Sequence, residues 1–315
     1  MSQEAQMCGA IDNMVELPGG VFRMGSDRHY PEERPAHKVS VGPFRIDATP
    51  VTNGAFARFV DATGYITAAE RPARAEDYPG ADPAMLAPAS VVFTKTPGPV
   101  DLRNHFQWWR YVQGADWRHP LGPDTSIVGK AEHPVVHVTI EDALAFAQWS
   151  GKDLPSEAEW EFAARGGRED DSEFAWGDEL VPDGRYLANF WQGEFPWQNL
   201  QADGHDGTSP VGSFPANGYG LFDMIGNVWE WTSDWYQSHD QLPGKPCCTL
   251  ENPRGGTREN SVDARNAVVI PRRVMKGGSH LCAPNYCRRY RPAARMAQPV
   301  DTSTCHVGFR CIVRL

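Results

Sequence analysis

Glycine, proline and asparagine break this chain so often that no apolar stretch runs far, and that interruption limits what it can become. No run is long enough to cross a bilayer. The apolar segments are short and evenly scattered along 315 residues, with no proline- or serine-rich linker and no block of charge between them. The chain therefore reads as one large domain. Its 30 glycines and 26 prolines imply much irregular backbone, and its 11 tryptophans imply a core built from rings as much as from aliphatic stripes.

Three helices stand out. Thr52 can cap a helix in which Ala55, Phe56, Phe59 and Val60 recur at helical spacing, and Gly64 can end it. A second starts near Thr139, with Asp142 three residues on as a variant capping box, and carries Ala143, Phe146, Ala147 and Trp149 towards Gly151. Ser156 and Glu159 form a Ser-x-x-Glu box that opens the third, which stops at Gly166-Gly167. Short candidate strands lie between them, among them His37–Val41, Phe44–Ile46 and Val135–Thr139. The expected class is α+β, a single loop-rich domain with low regular secondary structure. Residues 70–130 read as inserted loops rich in proline and alanine, carrying Trp108, Trp109, Tyr111 and Trp117.

Acidic side chains outnumber basic ones by 40 to 30, and the formal charge of −10 argues against a nucleic-acid surface and fits a protein with cation sites. Seven cysteines are an odd number in a chain large enough to fold without staples, so a secreted disulfide scaffold is not expected. Adjacent Cys247 and Cys248 could form a strained vicinal disulfide or ligate a metal, with two packed or partly exposed free thiols the commoner outcome, and Cys8 and Cys311 carry no local signal beyond burial or chance. The amino terminus lacks a basic stretch followed by an apolar core. Residues 1–11 are expected to be flexible, residues 12–315 to form the domain, and the setting to be cytoplasmic with no membrane partner.

The segment Gly277-Gly-Ser-His-Leu-Cys282-Ala-Pro-Asn-Tyr-Cys287 sets two thiols five positions apart on a backbone interrupted by Pro284 and Asn285. A helix would rotate them about 140° apart, and a strand would put them on opposite faces, so only an irregular loop makes the sulfurs converge. Convergence fits a structural or redox disulfide, and it equally fits a soft metal. Two thiolates suit Cu(I), whereas a closed zinc site wants four ligands. No CxxC pair or second cysteine cluster supplies them.

Two segments upstream are rich in oxygen donors, one from Asn189-Phe190 to Asp203-Gly-His205 and one from Asp223 to Glu230. They can offer side-chain and carbonyl oxygens to a hard cation such as Ca²⁺, and Asx-rich turns of this kind are also ordinary turns. His133 and His137 would share one helix face and one ion, but Pro134 and Val135-Val136 favour a strand. There the rings stand roughly 13 Å apart at about 3.3 Å per residue and cannot share a metal.

Several runs, in order, carry a resemblance: Leu17-Pro-Gly-Gly-Val-Phe-Arg-Met-Gly-Ser26, Val51-Thr-Asn53, Ala115-Asp-Trp-Arg-His-Pro120, His133-Pro-Val-Val-His-Val138 and Leu154-Pro-Ser-Glu-Ala-Glu-Trp160. They continue with Gly193-Glu-Phe-Pro196, the stretch from Asn217 to Trp235, then Val274 to Cys282, Tyr286 to Arg295 and Gly308-Phe-Arg-Cys311. Together they resemble the formylglycine-generating enzymes, also called sulfatase-modifying factors, of bacterial type. The resemblance implies a compact fold related to C-type lectin domains.

It also implies that Cys282 and Cys287 hold Cu(I), and that the cysteine of a bound sulfatase polypeptide, in a Cys-x-Pro-x-Arg core, becomes a further sulfur ligand. With O₂ and a thiol reductant, the substrate β-carbon would lose hydrogen, and hydrolysis of a thioaldehyde would yield Cα-formylglycine and sulfide. Ser279 matches a family serine beside the metal, and otherwise satisfies the turn after Gly277-Gly278. Trp229 matches an aromatic near the family's oxygen pocket, and otherwise belongs to the core. Tyr286 matches a tyrosine beside the second thiolate, and packing is an equal account. Arg295 could position the peptide or pair with a carboxylate and brace the loop. Two structural calcium ions are implied, one at Asn189, Phe190, Asp203 and His205, the other at Asp223, Gly226, Val228 and Glu230, with Asp223 standing where the family can have asparagine.

One departure concerns His306, where many members have asparagine. A histidine there would titrate near neutrality and alter the pH dependence, and neighbouring Cys305 could be a third redox-active thiol or a small buried one. Two other readings come from different classes. A non-catalytic lectin-like binding relative would lack the thiol pair. A non-haem iron oxidase of a small thiol would need a carboxylate two residues after His137, where Thr139 stands.

Overall fold

The computed structural model describes residues 13–241, 248–265 and 268–315. The expectations for residues 1–11, Cys8 and Cys247 lie outside these. The strands are β1 (Met14–Leu17), β2 (Gly20–Met24), β3 (His37–Val41), β4 (Phe44–Asp47), β5 (Ala89–Phe93), β6 (Trp109–Gln113), β7 (Trp229–Trp235), β8 (Leu250–Glu251), β9 (Arg272–Lys276), β10 (Arg295–Pro299), β11 (Val307–Gly308) and β12 (Ile312–Arg314). They form four small sheets ordered β1-β4-β12, β10-β9-β7-β11, β2-β3-β8 and β5-β6.

The second sheet positions the chemistry. β7 runs antiparallel to β9, with Trp231 opposite Met275, and β9 runs antiparallel to β10, with Lys276 opposite Arg295. β11 joins β7 in parallel, with Val307 beside Trp229. The cysteine segment is thus the 277–294 connection between two paired strands. Gly277 and Gly278 leave β9 with φ of 95° and 71°, a left-handed backbone that side chains resist. At Gly278 a Cβ would also lie 2.7 Å from the Arg289 carbonyl, so glycine lets the returning loop lie directly against its own start.

The three helices are α1 (Asn53–Thr63), α2 (Ile140–Trp149) and α3 (Glu157–Ala164). Their caps follow the sequence signals. The Thr52 hydroxyl accepts from the Ala55 amide, Gly64 ends α1 at φ 68°, and both reciprocal bonds of the Thr139/Asp142 and Ser156/Glu159 boxes form. Helix α3 is buried along its whole length, glutamates included. Glu157 meets Arg295, Glu159 meets Arg314, and Glu161 meets Lys276 and Arg165. The core around α1 and α2 is aromatic, with Phe56 touching Phe59, Trp117 and Phe146, and Phe146 touching Phe309.

Two sequence expectations fail here. Val135–Thr139 is not a strand: Pro134 makes only an isolated bridge to Thr52, and His137 turns the chain at φ 60°. Residues 70–130 are more than loops. They contain the antiparallel ribbon β5-β6, in register from Ala89 opposite Gln113 to Phe93 opposite Trp109, where β-branched and aromatic residues face one another. No helix among the described residues is long and apolar enough to cross a membrane.

Candidate active site

The 277–294 loop brings the Cys282 and Cys287 sulfurs to 3.2 Å, beyond the length of about 2.0 Å for a disulfide, and both are free thiols. The reason is local. The Cys282 amide donates to the Ser279 carbonyl at 2.9 Å, and the amides of Tyr286 and Cys287 both donate to the Ala283 carbonyl, at 3.1 and 2.9 Å. Pro284-Asn285 forms the corner, and the loop folds Cys287 back over Cys282. The Trp191 amide donates to the Cys282 carbonyl at 3.0 Å, and the Asn285 amide group donates to Glu194 at 3.0 Å, fastening the loop to the 189–196 segment. Cys282 is buried and Cys287 half-buried.

The two sulfurs differ electrostatically. Burial, then the hydrogen bond and charge of Cys287, push the Cys282 thiol up. The hydrogen bond from Cys282, and against burial the Arg289 guanidinium, bring Cys287 down, so the pair ionises at Cys287. Arg289 Nη1 lies 3.6 Å from that sulfur, its Nε and Nη2 donate to Glu32, and its guanidinium stacks 3.8 Å over the Tyr30 ring. The sequence did not point to Tyr30, Glu32 or Arg289. An arginine two places after a cysteine was the available signal for one of them, and nothing in Tyr30–Glu33 signals the rest.

An aromatic wall borders the thiols. Tyr286, 37% exposed, stacks on Phe195 at 4.7 Å and stands edge-on to Trp108 at 5.3 Å, which is the packing alternative raised for it. Trp108, Trp191, Phe195, Leu281, Ala283 and Cys305 form one apolar cluster, distinct from the main core. The β5-β6 ribbon delivers it: Phe93 meets Trp191 and Phe195, and Trp109 reaches His306 at 5.0 Å. Trp229 is buried in the same core cluster as Cys282. The Ser279 hydroxyl oxygen accepts from the Leu281 amide at 3.2 Å, so it holds the turn.

One expectation is corrected, at His306, and two alternatives are decided, at Arg295 and Cys305. Arg295 does not face a groove: it is 1% exposed, and its guanidinium pairs with Glu157 and donates to the Glu32 and Gln237 carbonyls, which makes it a brace. His306 does not titrate near neutrality. Burial first, then His280 and His137, bring it down to about 3, and it stays neutral. Cys305 is no third redox thiol, because its sulfur accepts from the Phe93 amide at 3.2 Å and burial pushes it up to about 12.

The histidines do not converge on an ion. His133 contacts Thr208, while His137 bridges Ser90 and the Pro120 carbonyl. Among the described residues, no group of three or more His, Cys, Asp or Glu side chains is placed to hold a metal. The thiol pair offers two soft donors, a set that suits a thiophilic monovalent ion and leaves room for an outside ligand.

The oxygen-rich segments fit hard cations in part. The Phe190 carbonyl and an Asp203 oxygen converge on one point, where the Gln192 amide group meets both, and Asn189 is buried beside them with its amide donating to the Gly207 carbonyl. The other Asp203 oxygen accepts from the His205 amide. In the second segment, burial and, more weakly, neighbouring Glu230 push the Asp223 carboxyl up, a cost that a cation would relieve. Gly226 holds φ 78°, and a Cβ there would meet the Asn189 carbonyl, so the two segments lie against each other. Glu230 takes Arg310 on both oxygens and Trp160 on one, so a cation beside Asp223 and Val228 would share that carboxylate with a guanidinium.

Comparison with known proteins places this geometry in context. The model of the sulfatase-modifying factor enzyme 1-like domain matches residues 2–315. The formylglycine-generating enzyme of Mycobacterium tuberculosis is 53% identical over 96% of this chain and 98% of its own length. A bovine relative named inactive Cα-formylglycine-generating enzyme 2 is 38% identical over 96% of this chain and 88% of its own. Among solved structures, PvdO from Pseudomonas aeruginosa superposes with a TM-score of 0.62 at 24% identity, covering 96% of this chain and 94% of that one, which extends the likeness of fold.

Proposed function

The chain belongs to the sulfatase-modifying factor family, and on that premise we propose that it converts a cysteine in a sulfatase polypeptide to Cα-formylglycine. The substrate cysteine sits in a Cys-x-Pro-x-Arg motif, O₂ is the oxidant, and Cu(I) is held by Cys282 and Cys287. The observation that carries this reading is the pair of free sulfurs 3.2 Å apart on a half-open loop. Family membership alone does not, since a relative at 38% identity is named inactive.

Each residue has a part. Cys287, the more exposed and more readily ionised sulfur, faces the entering peptide, and Cys282 anchors the pair from the buried side. When bound between Cys282 and Cys287, Cu(I) would supply a soft, redox-active centre suited to a thiol substrate and O₂. Tyr286 and its stacked partner Phe195 offer a flat apolar surface suited to the motif's proline, and Trp108 stiffens it. Ser279 keeps the turn that sets the sulfur spacing. Trp229 belongs to the same buried core as Cys282 and is assigned a supporting part there.

The electron count sets the co-reactants. Taking a cysteine CH₂–SH to an aldehyde and sulfide with one water releases two electrons and two protons. Reducing O₂ to water consumes four of each, so a thiol reductant supplies the other two. A reducing compartment such as the cytoplasm would both furnish that thiol and keep the pair open. Ca²⁺ is assigned a structural role at the two oxygen-rich segments, bracing the base of the loop through Asn189, Phe190, Asp203 and His205, and through Asp223, Gly226, Val228 and Glu230.

The test is direct. Copper-loaded protein, a Cys-x-Pro-x-Arg peptide, O₂ and a thiol should give a peptide whose mass corresponds to the aldehyde and which reacts with an aminooxy probe. An unchanged peptide under these conditions refutes the proposal.

A further inference from the structure

We propose that Glu32 and Arg289 form a positioning pair that aims a guanidinium at the Cys287 sulfur and offsets the negative charge of the thiolate pair when it holds a monovalent cation. This rests on the copper reading above. Two thiolates and one cuprous ion sum to a charge of −1, in a site where Cys282 is 2% exposed. An unpaired buried charge of that kind is costly. Among the described residues, Arg289 is the cation with a donor near the thiol pair, its Nη1 lying 3.6 Å from Cys287 Sγ.

The local geometry separates this residue from its neighbours. Arg288 pairs with Glu173, and Arg291 with Glu33, each at 2.9 Å or less. Neither arginine has a contact with a sulfur among those described. Arg289 gives Nε and Nη2 to a single oxygen of Glu32, at 3.1 and 2.6 Å, which uses one edge of the guanidinium and leaves Nη1 for the thiol. The Tyr30 ring fixes the plane, lying 3.8 Å from the guanidinium carbon, while its hydroxyl accepts from the Arg288 amide at 3.0 Å. A weakly hydrated, planar cation with a spare donor suits a polarisable sulfur better than a lysine would. Glu32 therefore orients the fork, and Tyr30 supports it.

The experiment is anaerobic competition for Cu(I) against a chromogenic chelator, run with the wild-type protein, Arg289→Ala, Arg289→Lys, Glu32→Ala and Cys287→Ser, with a melting curve for each. The wild type should bind one Cu(I), and Arg289→Ala should bind at least about tenfold more weakly, the loss expected for one charge-assisted hydrogen bond. Arg289→Lys should recover part of the loss, since it keeps the charge without the fork, and Glu32→Ala should fall between Arg289→Lys and Arg289→Ala. Should Arg289→Ala fail to fold, Arg289→Gln, neutral and similar in reach, takes its place under the same criterion. Affinity within twofold of wild type in the neutral variant overturns the inference. If instead the wild type does not compete for Cu(I), or Cys287→Ser competes equally well, the copper reading has failed, and the two failures are distinct.

Discussion

The carboxy-terminal segment has two halves that handle charge in opposite ways. From 279 to 289 the loop carries two thiols with unequal protonation and a guanidinium that touches one of them, close to the surface. From 291 to 310 the arginines are buried and each is paired with a carboxylate: Arg291 with Glu33, Arg295 with Glu157 and Arg310 with Glu230. Burial works against ionised Glu157, yet Arg295, His239 and Lys276 outweigh it and hold the carboxyl well below its usual range. The first half leaves valences open for chemistry, and the second closes them to fix where the first half stands. Ion pairs of this sort add little net stability over apolar packing but are costly to split, which suits a rigid support.

That division can be broken in the laboratory. Cys282→Ser or Cys287→Ser should abolish aldehyde formation in the peptide assay while moving the melting temperature little, because a hydroxyl is a poor ligand for a soft ion. Full turnover in both variants would end the assignment. Arg295→Ala should do the reverse, costing about 3 kcal/mol of stability in denaturant titration by stranding the Glu157 carboxylate. If it unfolds no more readily than Cys287→Ser, the two halves are not distinct in kind.

Acid should weaken the molecule through the histidines behind the loop. Burial lowers His137 and His280 to about 4 and His306 to about 3, against an ordinary value of 6.5. The unfolded chain therefore takes up protons first as the pH drops. Their contribution is complete above pH 6.5 and declines below it by about 1.4 kcal/mol per pH unit for each ring, levelling off near the folded values. Melting curves between pH 7 and 5 should fall, and less steeply in His306→Asn. A slope unchanged by that substitution would remove His306 from the account.

Calcium removal should lower the melting temperature by several degrees without directly changing the Cu(I) affinity, since an ion bound only by the native state stabilises it by mass action. An identical melting curve in chelator would leave the oxygen-rich turns as turns. The smallest effect is expected at Cys305→Ala, at about 1 kcal/mol of stability, with turnover retained. Loss of turnover there would restore Cys305 as a participant.

What could be read in advance depended on range. Thr52, Thr139 and Ser156 act on amides three residues away, so their helices were legible from local chemistry. The convergence of Cys282 and Cys287 was legible for the same reason, since five residues around Pro284 can hardly do anything else. The β5-β6 ribbon was missed because its short strands sit in proline-rich surroundings that mask their alternation. Arg295 stayed open between positioning a peptide and pairing with a carboxylate, because its partner Glu157 lies 138 positions away and only the fold brings the two together.

By itself the sequence determined the three helices, their caps, the thiol-bearing loop and the family to which its motifs belong, because each is written within a few residues. The tertiary structure decided which thiol ionises, which arginine supports and which one touches sulfur. Those outcomes turn on Glu32 and Tyr30 meeting Arg289 across more than 250 residues, and on how deeply each sulfur is withdrawn from water. Burial and through-space charge set protonation, and neither has a period or a spacing that a linear chain can display.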